Sequence, residues 1–377
     1  MTLAKRKFLI TGANGFIGKN IVVRLSELPS SSIFMFIRGD REEELFNLVA
    51  EVDCVIHLAG ENRPTDQSEF CQVNTQLTKT LCNAIRQKFK INGRHVRLIF
   101  ASSQQAALDN PYGRSKLAAE MAIKSLAEDT GNPCVVFRLP GVFGKWCKPN
   151  YNSVVATFCH NISRNLPIQI SNPSAIIKLA YVDDVVTTLL ASLDSHSNGY
   201  VQAEVNPIYT TTLGELADQI QSFGDLRSKL MTDRVGSGYL RALYATYVSH
   251  LPENKFSYEI PQYVDNRGMF VEVLKTVDSG QFSYFTAHPG VTRGGHYHHT
   301  KTEKFLVIKG HALFRFRNLV SKKLVEMHTS GMKPQMVDTI PGWSHDITNV
   351  GDDEMIVMLW ANENFDSDRP DTVSSKV

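Results

Sequence analysis

The sequence predicts two domains of different class in series: an α/β domain built on a parallel sheet, then an all-β barrel of antiparallel strands. Three observations predict this. The first half alternates short apolar runs with amphipathic helical runs, and it opens on a glycine-spaced turn between a strand and a helix. From Phe256 the pattern becomes short alternating strands punctuated by Gly, Asp, Asn and Pro. Cysteine and histidine divide the chain in the same way: all six cysteines lie at or before Cys159, while seven of the twelve histidines lie at or after His288. The length of 377 residues also exceeds one ordinary core. The boundaries read from these patterns are 1–245, a linker at 246–255, and 256–377.

Composition narrows the function classes. A hydrophobic content of 42% and a charged content of 21% are those of a soluble globular protein. The net charge of +2 gives no electrostatic case for nucleic acid or a membrane surface as partner, and no apolar run reaches bilayer length. Met1–Phe8 carries Lys5, Arg6 and Lys7 and runs straight into a strand, where a signal peptide needs an apolar core. The cysteines show neither metal nor disulfide spacing. A cytoplasmic protein with reduced thiols is expected.

Taken in order, Lys7–Ile10 is the first strand and Ile21, Val22, Leu25 and Leu28 mark the apolar face of the first helix. Between them, Gly12, Gly15 and Gly18 allow a tight turn and close helix–strand packing. The backbone N–H groups here, through Phe16 and Ile17, approach a pyrophosphate. The second strand, Ser32–Ile37, ends in Arg38. An acidic residue at that place binds the ribose 2′-hydroxyl of NAD, whereas arginine accommodates the 2′-phosphate of NADP, so NADPH is the expected cofactor. A third strand runs into Leu58 and Ala59 beside the cofactor; His57 reads as a hydrogen-bonded strand-end residue.

The strand Leu98–Ser103 ends in two hydroxyls, at the sheet edge where ligands bind in open α/β folds. Tyr112 and Lys116 follow, one helical turn apart on one face. An ammonium about 4 Å from a phenol is worth roughly 4 kcal/mol at an effective dielectric near 20. That would bring the phenol from its usual value of about 10 towards 7, where it exchanges protons readily. Further on, Thr212 and Glu215 are spaced as a capping box, a structural feature. An aromatic helix around Tyr239–Tyr247 leads out of the domain.

In the second domain, alternation places His296 and His298 on one strand face, Glu303 follows a turn, and His345 returns on a later strand. Three imidazoles and a carboxylate suit a divalent metal with open coordination, Zn²⁺ being expected and Fe²⁺ also compatible.

The motifs of the first domain occur in the order seen in the extended short-chain dehydrogenase/reductases, which the N-terminal two-thirds of the chain resembles. These are the glycine turn, His57-Leu58-Ala59-Gly60, Ser102-Ser103, Tyr112-x-x-x-Lys116, Val136–Gly144 and Tyr181–Val185. The resemblance implies a Rossmann fold with Tyr112, Lys116 and Ser103 as catalytic residues. It also implies that Lys145–Ser153 meets a nucleotide-linked sugar, with Lys145 and Asn152 as contacts, although lysines on an exposed loop are equally ordinary. One departure is the short gap from Ser103 to Tyr112.

Gly290-x5-His296-x-His298-x4-Glu303-x6-Gly310 matches the first motif of the cupins. Gly342-Trp343-Ser344-His345 resembles the second, with Pro341 one residue late and the local turn therefore in doubt. The expected second fold is a cupin jelly-roll barrel.

The pairing of these two modules over the whole chain resembles bifunctional enzymes of capsular-polysaccharide synthesis. This implies 3-epimerisation of a UDP-linked 4-keto amino sugar by the cupin and NADPH reduction of the ketone by the α/β domain, in a homodimer. Tyr297, His299 and His311 are candidates for moving the epimerisation proton. The alternatives are an iron cupin oxygenase fused to a reductase, and a non-catalytic NADP-sensing scaffold.

Overall fold

In a computed structural model, which describes residues 6–64, 66–194 and 198–377, the chain forms two compact units. One comprises Met1–Ile220 and Ala242–Pro252, the other Gln221–Arg241 and Glu253–Val377. Residues 221–241, left with the first domain on sequence, therefore pack with the second unit. Met231–Thr232 pairs in parallel with Lys275–Thr276, and Arg234 pairs with Asp278 at 2.8 Å. A two-residue strand carries no periodicity by which sequence could have placed it.

The first unit is a Rossmann-like α/β fold. Its leading elements are β1 (Arg6–Thr11), α1 (Phe16–Ser26), β2 (Ser31–Phe36), α2 (Glu42–Glu51), β3 (Cys54–His57) and α3 (Leu77–Asn92). They continue with β4 (Arg97–Ser103), α4 (Pro111–Thr130) and β5 (Cys134–Leu139). A further parallel strand, Tyr200–Ala203, completes a sheet in which β1 lies between β2 and β3, followed by β4 and β5. Strands β1 and β3 are buried on both faces, which is why they read as unbroken apolar runs. Leu9, Val55, Leu98, Phe100 and Val136 pack with Leu81, Ile85 and Ile123 of the helices.

The chain leaves β1 towards β2 and returns on its other side as β3, so the strand order reverses at β1. The crevice at this reversal is where an open α/β sheet takes its ligand. A smaller sheet of Gly141–Phe143, Ile176–Tyr181 and Tyr209–Thr212 follows. The expected capping box is present: Thr212 N–H donates to Glu215 Oε2 at 2.9 Å, and Glu215 N–H to Thr212 Oγ1 at 3.2 Å.

The second unit is β-rich, with two sheets. Gln281–Ala287, Met355–Ala361 and Glu303–Lys309 are neighbours at the centre of one. The other runs in the order Leu324–Ser330, His311–Asn318, Trp343–Asn349, Thr292–Tyr297, Val373–Ser374. Phe285, Phe305, Val357 and Leu359 from the first sheet and Phe314, Phe316 and Ile347 from the second form one buried core between them.

Candidate active site and metal centre

The glycine turn is built by close approach. Gly12 has φ +70°, and a Cβ there would lie 2.7 Å from the Ala59 nitrogen, so the ends of β1 and β3 can meet only over glycine. A Cβ on Gly18 would strike the Gly12 and Ala13 carbonyls. Gly15 caps α1 without any side-chain acceptor, which leaves the first amides, at Phe16 and Ile17, for an anion. This cradle, lined on the other side by Leu58 and Ala59, fits a dinucleotide.

Thr11 ties it together: its hydroxyl oxygen accepts from Leu58 N–H and Ala59 N–H, both at 3.2 Å, and its hydrogen goes to His57 Nδ1 at 2.6 Å. Thr78 gives its own hydrogen to the Asn74 carbonyl, so it accepts from His57 Nε2–H at 2.9 Å. His57 is thus a satisfied structural residue, and burial, with the charge of Lys116, pushes its pKa down to about 3.

Arg38 is exposed at the end of β2, but its guanidinium is already engaged, with Nη2 2.8 Å from Glu61 Oε2. Glu61 is a hub that sequence reasoning missed. Its Oε1 accepts from Asn62 N–H, Arg63 N–H and the Tyr151 hydroxyl at 3.0–3.1 Å. Burial raises its carboxyl, but these donors and Arg38 outweigh burial and hold it below its ordinary value. Asn74, also missed, sits in a π-helical turn, Phe70–Gln76. Its side chain joins the Glu61 backbone to Ser115 on α4.

Ser103, Tyr112 and Lys116 come together at the C-terminal edge of the sheet. Asn110 caps α4 by accepting from Gly113 N–H at 2.8 Å, with Pro111 in the first turn. Gly113 lies directly against the Gln105 and Leu108 carbonyls, where a Cβ would collide. The short gap after Ser103 is therefore a compact turn packed onto the helix start. Tyr112 packs on Phe70 at 5.7 Å, with the Ser103 hydroxyl close enough to influence its phenol.

Lys116 is buried, donating to the Ala101 carbonyl at 3.1 Å and lying over Phe100 at 4.9 Å. The expected lowering of the phenol is not found. Burial pushes Tyr112 up, with Ser103 opposing, because Lys116 is turned to a carbonyl. The lysine is itself pushed down to about 8 by burial, which Glu120 resists. Glu120, one turn on, pairs with Arg138 at 2.6 Å and accepts from Ser102 at 2.5 Å.

Of the expected sugar contacts, Lys145 is no free cation: Asp183 lies 2.5 Å from its ammonium. Asn152 is exposed on the loop before Val154–Ser163.

In the second unit, His296, His298, Glu303 and His345 bring one donor atom each to within 4.8 Å of one another. A β-bulge at Gly295 (φ +77°) sets His296 opposite His345. The doubtful turn forms: Trp343 N–H closes on the Ile340 carbonyl at 3.0 Å, with Pro341 and Gly342 (φ +79°) at the corners, as a type II turn requires. His298 donates Nδ1–H to the Asp371 carbonyl at 2.6 Å, so Nε2 faces Glu303, 3.2 Å away.

His345 is buried and neither of its ring nitrogens has a hydrogen-bond partner; Nε2 lies 3.4 Å from Glu303 Oε2 without the alignment for one. Burial and neighbouring His345 lower His296 to about 4. Burial would raise Glu303, but the imidazoles of His298 and His345 outweigh it and hold the carboxyl well below its ordinary range. An unsatisfied buried imidazole facing a carboxylate and two more imidazoles is a donor set that fits a divalent cation.

Tyr297 and His299 meet each other edge to face at 5.3 Å. His311 is exposed, five residues before Phe316, the strand partner of His345, and so about 17 Å from it along the strand. Lys301, unremarked in the sequence, is buried with Nζ 3.9 Å from Glu303 Oε1.

Residues 8–206 match the NAD dependent epimerase/dehydratase family, more than half of the chain. The chain belongs to the NAD dependent epimerase/dehydratase family. Residues 263–373 match the polysaccharide biosynthesis C-terminal domain, so this family member carries that domain behind its Rossmann-like unit.

The UDP-2-acetamido-2,6-beta-L-arabino-hexul-4-ose reductase of Pseudomonas aeruginosa is 55% identical over 371 residues, which is 98% of this chain and 99% of that one. The crystal structure of the capsular polysaccharide assembling protein CapF from Staphylococcus aureus superposes with a TM-score of 0.89. It is 40% identical, covering 98% of this chain and 100% of that one, and the present chain is CapF-like throughout. The Bordetella bronchiseptica enzyme WbmF, solved with NAD+ and UDP, shares the fold of the first unit (TM-score 0.54, 18% identity, 66% of this chain and 92% of that one). Among the described residues, no helix is long and apolar enough to cross a membrane.

Proposed function

We propose that this chain is a bifunctional nucleotide-sugar enzyme acting on a UDP-2-acetamido-2,6-dideoxy-4-ketohexose. The β-rich unit, read as a cupin, epimerises carbon 3. The α/β unit reduces the carbon-4 ketone with NADPH to a UDP-2-acetamido-2,6-dideoxy-L-talose-type sugar, on the way to UDP-N-acetyl-L-fucosamine. The observation that carries the reading is the juxtaposition of Ser103 at the end of β4 with Tyr112 and buried Lys116 on α4, in a chain so close to a UDP-4-keto-sugar reductase.

The Gly12–Gly18 turn and Arg38 would hold NADPH, which when bound would supply the hydride. Tyr112, whose raised pKa keeps it protonated at neutral pH, gives its proton to the oxygen that becomes negative. Ser103 holds that oxygen by a hydrogen bond, and the Lys116 ammonium, charged below about pH 8, adds a nearby positive charge. A divalent metal, Zn²⁺ expected, when held by His296, His298, Glu303 and His345, supplies electrophilic stabilisation of negative charge next to carbon 3. Burial lowers His296 to about 4 and Glu303 stays ionised, so both offer unprotonated donors. At His298 burial opposes protonation, but the hydrogen bonds to Glu303 and Asp371 outweigh it, and a metal would displace the Nε2 proton. The setting proposed is a cytoplasmic homodimer, checked by the sedimentation mass of the full chain.

The test is incubation with the 4-keto UDP-sugar in deuterated water, with and without NADPH, followed by NMR. Deuterium should enter beside the ketone without NADPH. His296→Ala or His298→Ala should abolish that exchange while reduction of the unepimerised sugar persists, and Tyr112→Phe should do the reverse, slowing reduction by roughly 10²–10⁴-fold. Exchange lost in Tyr112→Phe would place both steps in the α/β unit.

A further inference from the structure

The end of the chain reaches the metal group. Asp371, at φ +35°, accepts on its carboxylate from the main-chain N–H groups of His299, Thr300 and Lys301 at 2.8–3.0 Å, and from the Thr300 hydroxyl at 3.0 Å. Its carbonyl takes His298 Nδ1–H at 2.6 Å. Beyond it, Val373 and Ser374 pair with Tyr297 and His296, and Ser375 N–H donates to the Gly295 carbonyl at 2.8 Å. The Ser344 hydroxyl, one residue before His345, donates to the Ser375 carbonyl. The segment 371–375 thus grips the chain beside three of the four donors. It also fixes the turn that sets the spacing between His298 and Glu303.

We propose that Asp371 is the positioning residue of the metal centre, a role that rests on reading His296, His298, Glu303 and His345 as its ligands. The carbonyl commits Nδ1 of His298 to a donor role, so only the Nε2 lone pair can face a cation. The carboxylate collects three consecutive amides that point one way, in charge-assisted hydrogen bonds. Without it those amides lose their protein acceptor, and the His298–Glu303 turn is free to rearrange. No period or motif announces this role, because Asp371 lies 68 residues beyond Glu303 in sequence.

Asp371→Gly and Asp371→Asn in the full chain make the test. Glycine tolerates the positive φ and removes the carboxylate; asparagine also tolerates it and retains one acceptor oxygen. Metal-stripped protein is titrated with Zn²⁺ against a chromophoric chelator. Asp371→Gly should bind 10–100-fold more weakly than wild type, with Asp371→Asn between the two. Far-UV circular dichroism and NADPH affinity should not change.

In hydrogen exchange, the His299–Lys301 amides should lose at least about tenfold in protection in the glycine variant. Zn²⁺ affinity equal to wild type in Asp371→Gly overturns the proposal while leaving the ligand reading intact. Wild-type protein that takes up no Zn²⁺ overturns the ligand reading, and the proposal with it. If the glycine variant does not fold, Asp371→Asn decides alone, and unaltered affinity there overturns the proposal.

Discussion

Replacing Lys116 by methionine should stabilise the first unit while disabling reduction, and the stabilisation should vanish with rising pH. Lys116 is a base whose pKa falls on folding from 10.5 to about 8, chiefly because burial removes water from the ammonium. Below pH 8 it is charged in both states, and the folded state carries the whole cost. At about 1.36 kcal/mol per pKa unit, that cost is roughly 3 kcal/mol. Between pH 8 and 10.5 the unfolded chain holds a proton that the folded chain has released, so stability rises with pH; above 10.5 the cost is gone.

Methionine is unbranched and of similar length, so it refills the space. It forfeits the hydrogen bond to the Ala101 carbonyl, worth about 1 kcal/mol. The variant should therefore be about 2 kcal/mol more stable than wild type at pH 7, with the advantage gone at pH 10. Urea unfolding at both values, read by pulsed hydrogen exchange on peptides from Arg97–Ser103, follows the first unit separately from the second. A stability difference that is the same at pH 7 and pH 10 would refute the reasoning, since it would mean that Lys116 keeps an ordinary pKa in the fold.

Arg38→Asp should weaken NADPH binding by roughly 10–100-fold, the worth of a charge-assisted contact to phosphate, and favour NADH. Equal wild-type affinity for the two nucleotides, measured by fluorescence titration, would contradict the assignment of Arg38. Gly113→Ala should cost about 1–3 kcal/mol, because the new methyl group meets the Gln105 and Leu108 carbonyl oxygens rather than flexible side chains. A melting temperature of the first unit within a degree of wild type would count against that packing. Thr78→Val removes the acceptor of His57 Nε2–H, should destabilise the first unit by about 1–3 kcal/mol, and should leave NADPH affinity unaltered. A selective loss of affinity would make His57 more than structural.

What could be read from sequence is what is written locally. The β1–glycine–α1 turn is legible because an apolar run, three glycines and a helical stripe fall within 20 residues. His296, His298 and Glu303 are legible for the same reason, as one strand and one turn fix their spacing. Glu61 and Asn74 are not legible. Glu61 joins Arg38 and Tyr151, and Asn74 reaches Ser115, 41 residues away, through contacts that leave no period in the chain.

The protonation of Tyr112 is not legible for a related reason. The Tyr–Lys spacing is a property of the helix, but the direction of the Lys116 ammonium is set by Ala101 on a different element. The outcome at residues 221–241 has the same origin, since Met231 and Thr232 join a sheet whose other strands begin more than thirty residues later.

The turn between Ser103 and Tyr112 has a consequence for how this region can drift. It is held by main-chain atoms: the Gln105 and Leu108 carbonyls against Gly113, and the Leu108 amide on the Gln105 carbonyl at 2.8 Å. Gln104, Gln105, Leu108 and Asp109 all expose their side chains. Such a segment is indifferent to its letters and strict about its length. A library randomised at those four positions should return many active clones, whereas inserting a single residue there should return almost none, because each insertion moves the tyrosine relative to the serine.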